Sequence, residues 1–512
     1  MRLIINIASS YFRFLASIVV VVMLTPYILE QIGIDRFGLW SLCLASAGVL
    51  ALLDMGLSTA TVKYVAERTG NGDHRARNEA LSSLMVVYSA LGIICATTVF
   101  LVAEQVVSLL DLTDQDASDY VFAMQIIGLC LAFALPLTLF KTMLVGAGRF
   151  DMVNVAEIIG VVLNAVLIIL MLELGLDIYG LAIAYASILV AVPLMLAPIA
   201  FRILPELTIK PALLRWERLR ELLPMAFYFL LANIAMLLIL RSDVLIIKSF
   251  LPLTAVAAFA IAARIGEYAY LLNKQFSNAI MPLISQSNGS GDRHTVRASL
   301  VDATRILAGI ATMLIGLGIF HAETLVVIWV GEDLLDAVLP LRIILLAVLF
   351  STLHMNASNV LGMSGGHRSV AGIMLASAAI HVLLSIMLIP EFGIIGAALA
   401  TLISAVLVEF GLLLPLACKQ QGVKLGEVFA DLVPCFIAAI PMLLVADILG
   451  HLMPASSLLI LLVQSAVAAS VFIIIFITIG LTRMERKFIH DFAMRVKSRS
   501  QSLPLTEETT HA

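Results

Sequence analysis

Basic side chains recur at helical spacing in two neighbouring apolar stretches of the chain. Arg241 and Lys248 are seven residues apart in LILRSDVLIIKSFLPL, so they return to one face of a helix, whereas Asp243 points roughly the other way. Lys248 is close enough to the end of the stretch to extend its amine outward, but Arg241 lies deeper. A guanidinium binds the oxygens of an anion through paired hydrogen bonds, so Arg241 is a candidate anion-binding residue.

The next apolar stretch adds a polar stripe. Arg264, Glu267 and Lys274 project within about a quarter-turn of each other on an ideal helix. A weaker stripe near the start of the chain contains Arg13, which could instead anchor the end of its helix. An ion pair between Arg264 and Glu267 that only joins two parts of the fold is the main alternative to a binding role. The residues predicted to bind substrate are Arg241, Arg264, Lys274, Arg13 and Glu267.

The elements that position these residues must lie in lipid. Hydrophobic residues make up 61% of the 512 residues, charged residues 13%, and the mean hydropathy is +1.07. Soluble domains contain roughly 45–50% apolar and about 25% charged residues. The composition therefore predicts an all-α polytopic membrane protein, and the net charge of −4 gives no indication of nucleic-acid binding.

About fourteen segments are long enough to cross a bilayer, which takes about 20 apolar residues. Twelve or thirteen spans remain alternatives, and the first segment is interpreted as a retained span rather than a signal peptide. The predicted spans are 7–30, 37–60, 81–103, 119–141, 153–173, 180–201, 223–250, 254–284, 303–329, 336–362, 370–390, 393–417, 429–450 and 456–481.

Basic residues are distributed unequally between the two sets of alternate connections. One set, which includes both ends of the chain, contains most of the Lys and Arg residues, whereas the other contains Arg36 and the acidic segment EQVVSLLDLTDQDASDY. Because Lys and Arg concentrate in cytoplasmic loops, both termini are predicted to be cytoplasmic.

The chain also repeats itself. An offset of 219 residues pairs Glu104 with Glu323, Asp114 with Asp333, and Arg149 with Arg368. Six helices followed by six similar helices predict a parallel repeat, in which two lobes face each other across a central cavity and rock to give alternating access. The predicted units are a first six-helix lobe (1–210), a second (211–428), two additional helices (429–482) and a basic tail (483–512).

Several motifs carry a family resemblance. YILEQIGIDRFGLWSLCLASAGVLALLDMGLSTATVKYVAE, LVGAGRF and RSDVLIIKSFLPLTAVAAFAIAARI, together with the span count, resemble bacterial polysaccharide-export flippases. These flippases belong to the multidrug/oligosaccharidyl-lipid/polysaccharide exporter superfamily. The resemblance covers nearly the whole chain.

The resemblance implies a transporter of the bacterial inner membrane, and not an enzyme. Its substrate would be an undecaprenyl-diphosphate-linked oligosaccharide, moved from the cytoplasmic to the periplasmic leaflet for O-antigen or exopolysaccharide synthesis. The family's cavity is walled largely by helices 1, 2, 7 and 8 and tends to be cationic, so the basic stripe is predicted to hold the diphosphate. A polysaccharide polymerase and glycosyltransferases are the partners implied, beside the lipid bilayer.

Three acids inside predicted spans could couple transport to an ion gradient. Asp243, Glu157 and Glu409 could each bind a proton or a sodium ion, although a structural partner is an equal alternative. No metal or cofactor is expected, because GAGRFD lacks a third glycine, no G-K-[ST] loop is present and the histidines are scattered.

Two other functions remain open at this point. A cation-coupled drug or metabolite antiporter of the same superfamily would have a similar fold, but those exporters often have twelve spans and rely on acids in the first lobe. A membrane polysaccharide polymerase or ligase would need a sizeable outer loop, whereas the predicted outer connections are short and acidic.

Overall fold

The computed structural model describes residues 2–50, 56–204, 206–289, 293–363, 366–481 and 486, and these residues form helices and short connections without strands. The predicted basic tail and Asp54 of the LLDMGL motif lie outside the described residues, apart from Arg486. The α-helices are α1 (Arg2–Ile32), α2 (Ile34–Leu50), α3 (Leu57–Gly70), α4 (His74–Leu110), α5 (Asp114–Gly146), α6 (Phe150–Glu173), α7 (Asp177–Ile203), α8 (Trp216–Phe250), α9 (Leu253–Gly289), α10 (Arg293–Phe320), α11 (Ala322–Val330), α12 (Val338–Met363), α13 (His367–Phe392), α14 (Ile394–Ser404), α15 (Leu414–Gln421), α16 (Leu425–Leu452) and α17 (Leu458–Ile475).

Over its described residues, every predicted span coincides with one or more of these helices. Twelve helical segments of the described chain are long and apolar enough to cross a membrane, and the two other predicted spans fall on α2 with α3 and on α8. Large side chains such as Leu109 and Ile440 are 77% and 62% exposed on the outside of the bundle, as expected for helices that face lipid. The prediction of an all-α, multi-pass membrane protein is confirmed.

One predicted connection is much shorter than expected. The acidic segment after the third span is largely helical, since α4 continues to Leu110 and α5 starts at Asp114. Thr113 caps α5 by accepting a hydrogen bond from the backbone N–H of Asp116, and acids are favourable in a first helical turn. The acidic residues therefore belong mainly to the ends of long helices rather than to a loop.

The two halves have matching helix boundaries and matching neighbours. At the 219-residue offset, the starts of α2 and α4 coincide with the starts of α9 and α10, and the end of α6 coincides with the end of α13. In the first half α1 packs on α6 and α5 on α7, and in the second half α8 packs on α13 and α12 on α14. These paired contacts are those of two copies of one six-span unit, while α16 packs on α10 and α17 on α16.

The halves differ where the second is interrupted. The counterpart of α4 is divided at His321 into α10 and α11, and the counterpart of α7 contains a π-helical stretch, Ala405–Leu413. The π-helical stretch carries Glu409 and lies against α12 and α13. Such stretches inside α-helices frequently occur at functional sites.

Helix α2 joins the two lobes. It packs on α9 and α8, and a Cβ at Gly38 would overlap the backbone carbonyl oxygen of Leu253 at the start of α9. Glycine in the FGLW motif thus allows the two backbones to approach, as small residues commonly do between membrane helices.

The start of α2 is held within the first lobe by Arg36. Its guanidinium contacts Asp119 of α5 at 2.5 Å, Asp116 of α5 at 3.1 Å and Asp177 of α7 at 2.7 Å. Burial lowers the pKa of Arg36, but the hydrogen bonds with Asp177 and Asp119 outweigh burial and raise it. The one basic residue of the predicted outer connections is therefore an internal tie of the first lobe.

Contacts between the lobes occur at both ends of the bundle. At the predicted outer end, Trp329 Nε1 donates a hydrogen bond to the backbone oxygen of Val22 at 2.8 Å, and Lys248 Nζ donates to the backbone oxygen of Asp111 at 3.3 Å. At the predicted cytoplasmic end, α8 packs on α3 and α4, and Arg218 near the start of α8 contacts the carboxylate of Glu79 on α4 at 3.1 Å. Two cavities lie between these contacts.

Candidate functional site

Arg241 and Arg264 lie between two cavities in the middle of the molecule. The first, here called the C-lobe cavity, has an empty volume of about 1120 Å³ and extends towards α12, α13 and α14. The second, the N-lobe cavity, measures about 1100 Å³ and is lined by α1, α2, α6, α7, α8 and α9. Both volumes include open space. The cavities share Ser41, Leu44, Arg241, Ala260 and Arg264 as lining residues.

The two arginines share one carboxylate. Arg241 Nη2 donates a hydrogen bond to Oε1 of Glu267 at 3.1 Å, and Arg264 Nη1 lies 3.9 Å from Oε2. The side chain of Arg241 is 31% exposed, that of Arg264 34% and that of Glu267 20%, so each remains accessible from the cavities. Arg241 and Arg264 therefore line the cleft, as the binding hypothesis expects, and Arg264 also lies beside Glu267, as the ion-pair alternative expects. One positive charge remains uncompensated within this trio.

A glycine makes room for the Arg241 side chain. A Cβ at Gly48 of α2 would lie 3.3 Å from Cγ of Arg241, which is tighter than an ordinary contact. Since Gly48 also lines the N-lobe cavity, α2 passes the arginine at a position without a side chain.

Lys274 and Arg13 are not among the residues that line the two cavities. Lys274 is exposed, and its Nζ lies 5.8 Å from the ring centroid of Tyr270. Arg13 Nη1 lies 2.5 Å from Oε2 of Glu157 on α6, inside the first lobe. The structure does not bring these two basic residues together with Arg241 and Arg264, and their roles in substrate binding stay predictions.

Glu157 has two cationic partners. Besides Arg13, Lys141 Nζ lies 2.5 Å from its Oε1, so this carboxylate connects α1, α5 and α6. This arrangement corresponds to the structural alternative considered from the sequence. An ion-coupling role for Glu157 stays a prediction.

Glu409 belongs to a buried polar cluster that borders the C-lobe cavity. Its Oε2 lies 2.9 Å from Nε2 of His354 and accepts a hydrogen bond from Ser351 at 3.2 Å. Its Oε1 accepts a hydrogen bond from Ser377 at 3.0 Å. Both oxygens of this membrane-buried carboxylate therefore have partners, as buried polar groups require.

Asp243 forms a second carboxylate–histidine pair beside the first. Its Oδ1 accepts a hydrogen bond from Ser385 at 2.7 Å and lies 3.2 Å from Nε2 of His381. His381 is fully buried, and neither ring nitrogen makes a hydrogen bond with good geometry within the described part of the chain. Ser377 and His381 are four residues apart on α13, so the two pairs contact successive turns of that helix, one through Ser377 and the other through His381.

Sequence reasoning identified both carboxylates but missed their histidine partners. His354 and His381 lack any metal-ligand spacing, and their partners come from other helices. A usable signal was the run of polar residues in STLHMNASN, which is unusual inside a membrane helix.

Comparison with protein families shows that the family described as "Polysaccharide biosynthesis protein" matches residues 2–288, which is more than half of the chain. The chain belongs to this family. A second model, MatE, matches residues 224–387, within the second lobe. The family resemblance inferred from the motifs is confirmed.

Relatives and solved structures agree with this assignment. The chain is 20% identical to a "Putative O-antigen transporter" of Shigella flexneri over 74% of its own length and 90% of the relative. It is 22% identical to a "Probable flippase AglR" of Haloferax volcanii over 75% and 77%. The fold is similar to that of the lipid II flippase MurJ in an inward closed conformation, with a TM-score of 0.73 and 14% identity over 92% of this chain and 98% of that one.

Proposed function

We propose that this protein is a flippase for a lipid-linked oligosaccharide. In this proposal an undecaprenyl-diphosphate-linked glycan moves from the cytoplasmic to the periplasmic leaflet of a bacterial inner membrane, for synthesis of a surface or exported polysaccharide. The observation that carries the proposal is the pair of half-buried arginines, Arg241 and Arg264, which line two adjoining cavities of a polysaccharide-family membrane protein.

The geometry suits a diphosphate attached to a sugar chain. Two guanidiniums within reach of one carboxylate can equally engage two phosphate groups, each through paired hydrogen bonds. The two cavities meet at Arg241 and Arg264, so a sugar chain attached to a diphosphate held there could extend into either of them. The polyprenyl tail would remain in the surrounding lipid.

The duplication supplies a mechanism. Two lobes of the same architecture, 1–210 and 211–428, would rock about the α2 contacts so that the cleft opens to one side at a time. Residues 429–482 would brace the second lobe, with both termini in the cytoplasm. Glycosyltransferases that build the substrate and a polymerase that uses it would be functional partners.

A drug or metabolite antiporter is the second candidate, because the MatE model matches part of the second lobe. The N-lobe cavity argues against a cationic drug, since its lining includes two arginines and no acid. A polymerase or ligase is less compatible with the short connections between the described helices. We therefore propose transport rather than catalysis.

Deletion of the gene followed by lipid analysis tests the proposed function. We expect undecaprenyl-linked oligosaccharide to accumulate on the cytoplasmic face of the membrane and surface polysaccharide to be lost, with both restored by the intact gene. Unchanged lipid-linked glycan together with increased drug sensitivity would instead support the antiporter.

A further inference from the structure

The formal charge of the C-lobe cavity depends on two histidines. Arg241 and Arg264 face three carboxylates there, those of Asp243, Glu267 and Glu409. With the paired histidines neutral, these groups sum to −1. With both histidines protonated, they sum to +1. The cavity therefore repels an anion when the two histidines are neutral and attracts it when both are protonated.

The two pairs are built to hold protons rather than a metal ion. Each carboxylate lies against an imidazole, at 2.9 Å for Glu409 and His354 and at 3.2 Å for Asp243 and His381. Sodium, calcium and magnesium prefer several oxygen ligands. Among the described residues, no group of three or more His, Cys, Asp or Glu could hold a metal ion.

Burial favours the state in which each pair holds a proton, because the charges within the pair then cancel. The four side chains of these pairs are each at most 8% exposed, and an uncompensated carboxylate in such surroundings is costly. A proton on each pair neutralises that pair internally. The proton also removes a negative charge that would oppose an incoming anion at the arginines.

Groups from every helix around the cluster are accounted for. Helix α8 contributes Arg241 and Asp243, and α9 contributes Arg264, Glu267 and Tyr270. The remaining polar contacts come from α2, α12, α13, α14 and the π-helical stretch: Ser41, Ser351, His354, Ser358, Ser377, His381, Ser385, Thr401 and Glu409. In this set the arginines are the anion-binding groups, and each of the two histidines is paired with a carboxylate.

We propose that the Glu409–His354 and Asp243–His381 pairs form a proton-binding site that is positively coupled to anion binding at Arg241 and Arg264. This inference rests on the proposed function for the identity of the anion. Protons taken up by the pairs strengthen binding of the diphosphate, and by reciprocity the bound diphosphate strengthens proton binding. Protonation and substrate loading thus belong to the same state of the transporter.

Calorimetry on the purified full-length protein in nanodiscs tests this coupling, with farnesyl diphosphate as the probe. Titrations in buffers of different ionisation enthalpy report the number of protons taken up on binding. We expect proton uptake near pH 7, and a gain in affinity of about tenfold between roughly pH 8 and pH 6. The ionisation of the probe itself is the same for all variants, so differences between variants report protein groups.

The variants are Glu409→Gln, His354→Gln and the double variant, with His321→Gln as a matched control. His321 is also a buried histidine of the second lobe, but it does not border the cavity. We expect the double variant to bind the probe with reduced proton uptake and a flatter pH dependence, while His321→Gln behaves like the wild type.

Several outcomes would overturn the coupling. Equal proton uptake in wild type and double variant would exclude the Glu409–His354 pair and so overturn the proposal that both pairs form the site. Affinity that changes with sodium at constant pH would indicate a sodium site instead. Absence of probe binding at every pH would also reject the coupled site. The lipid analysis described above would still decide the proposed function, because it does not depend on the probe.

Discussion

Glu267 serves two guanidiniums in the central cleft, at 3.1 Å from Arg241 and 3.9 Å from Arg264. Helical spacing, the repeat and the family resemblance together predicted that both arginines face the cleft, and an ionised group deep in a membrane helix needs protein or water beside it. The same reasoning could not pair Asp243 with His381 or Glu409 with His354. Those contacts depend on how α8, α12, α13 and the π-helical stretch pack together.

Replacing either arginine should impair export. We expect Arg241→Ala and Arg264→Ala to reduce surface polysaccharide at least about tenfold, since each loses hydrogen bonds to the charged diphosphate, which contribute about 1.5–3 kcal/mol each. Arg264→Lys should give an intermediate level, because lysine keeps the charge but loses the bidentate geometry. Polysaccharide is measured per amount of protein in the membrane.

Arg75→Ala is the matched control for these arginines. Its side chain is 84% exposed and pairs with a carboxylate on its own helix, so export should remain normal. Normal export in both the Arg241 and Arg264 alanine variants would remove the two guanidiniums from the mechanism.

Removing the shared carboxylate should have the opposite effect on binding. In Glu267→Gln both guanidiniums lose their internal partner, so we expect tighter binding of farnesyl diphosphate and slower export, because the product leaves less readily. The measurements are the calorimetric Kd and the rate at which polysaccharide reaches the surface. A weaker Kd would mean that Glu267 mainly orients the arginines.

At the scale of elements, hydrophobic length and punctuation predicted where the fourteen spans lie, and a 219-residue offset predicted their duplication. The interruption at His321 and the π-helical stretch at Ala405–Leu413 were not predicted. Polar residues and a nearby proline, Pro415, do mark them, but such residues also occur in membrane helices that continue unbroken, as α5 does through Pro136. The role of the FGLW motif could not be predicted either, because it depends on the contact between Gly38 and the backbone of Leu253 on another helix.

Gly38→Ala should disrupt the contact between α2 and α9. The added methyl group meets a backbone carbonyl, which cannot move aside as a side chain can, so a destabilisation of about 1–3 kcal/mol is expected. The apparent Tm of the purified protein should fall, and export should fall with it.

Gly372→Ala provides the control for Gly38, because nothing lies within 4 Å of a Cβ at that helical position. Its Tm should be equal to or slightly above that of the wild type, since alanine favours helix formation over glycine. Equal Tm values for the two variants would show that α2 and α9 separate easily.

At the scale of the whole molecule, two similar lobes are held together at the predicted outer end by few polar contacts. Trp329 on α11 reaches the backbone of Val22 on α1, and Lys248 on α8 reaches the backbone of Asp111. The repeat could be recognised from the sequence, but the contacts between its two copies could not. These contacts depend on how the two lobes pack against each other, which the repeat in the sequence does not specify.

Linking the lobes at this end should stop transport. We expect a Val22→Cys, Trp329→Cys protein to lose export after treatment with a short bis-methanethiosulfonate crosslinker, which reacts with both thiols, and to regain export after the crosslink is reduced. Surface polysaccharide and gel mobility are measured together, so that crosslinking and export are compared in the same cells.

A crosslink within one lobe should be harmless. Phe122 of α5 and Tyr179 of α7 have ring centroids 4.5 Å apart inside the first lobe, and Phe122→Cys with Tyr179→Cys makes the matched pair. Continued export in the crosslinked Val22–Trp329 variant would contradict motion at the outer contact.

The carboxylate of Glu267 has a bearing on selectivity against the abundant nucleotides and sugar phosphates of a cell. Two bare arginines would be saturated by such solutes, and the transporter would be inhibited by its own surroundings. Every ligand must displace the Glu267 carboxylate, which lies 3.1 Å from Arg241 and 3.9 Å from Arg264. Freely diffusing anions therefore gain little binding free energy at the two arginines. A substrate tethered in the bilayer, delivered at high local concentration, is favoured over them.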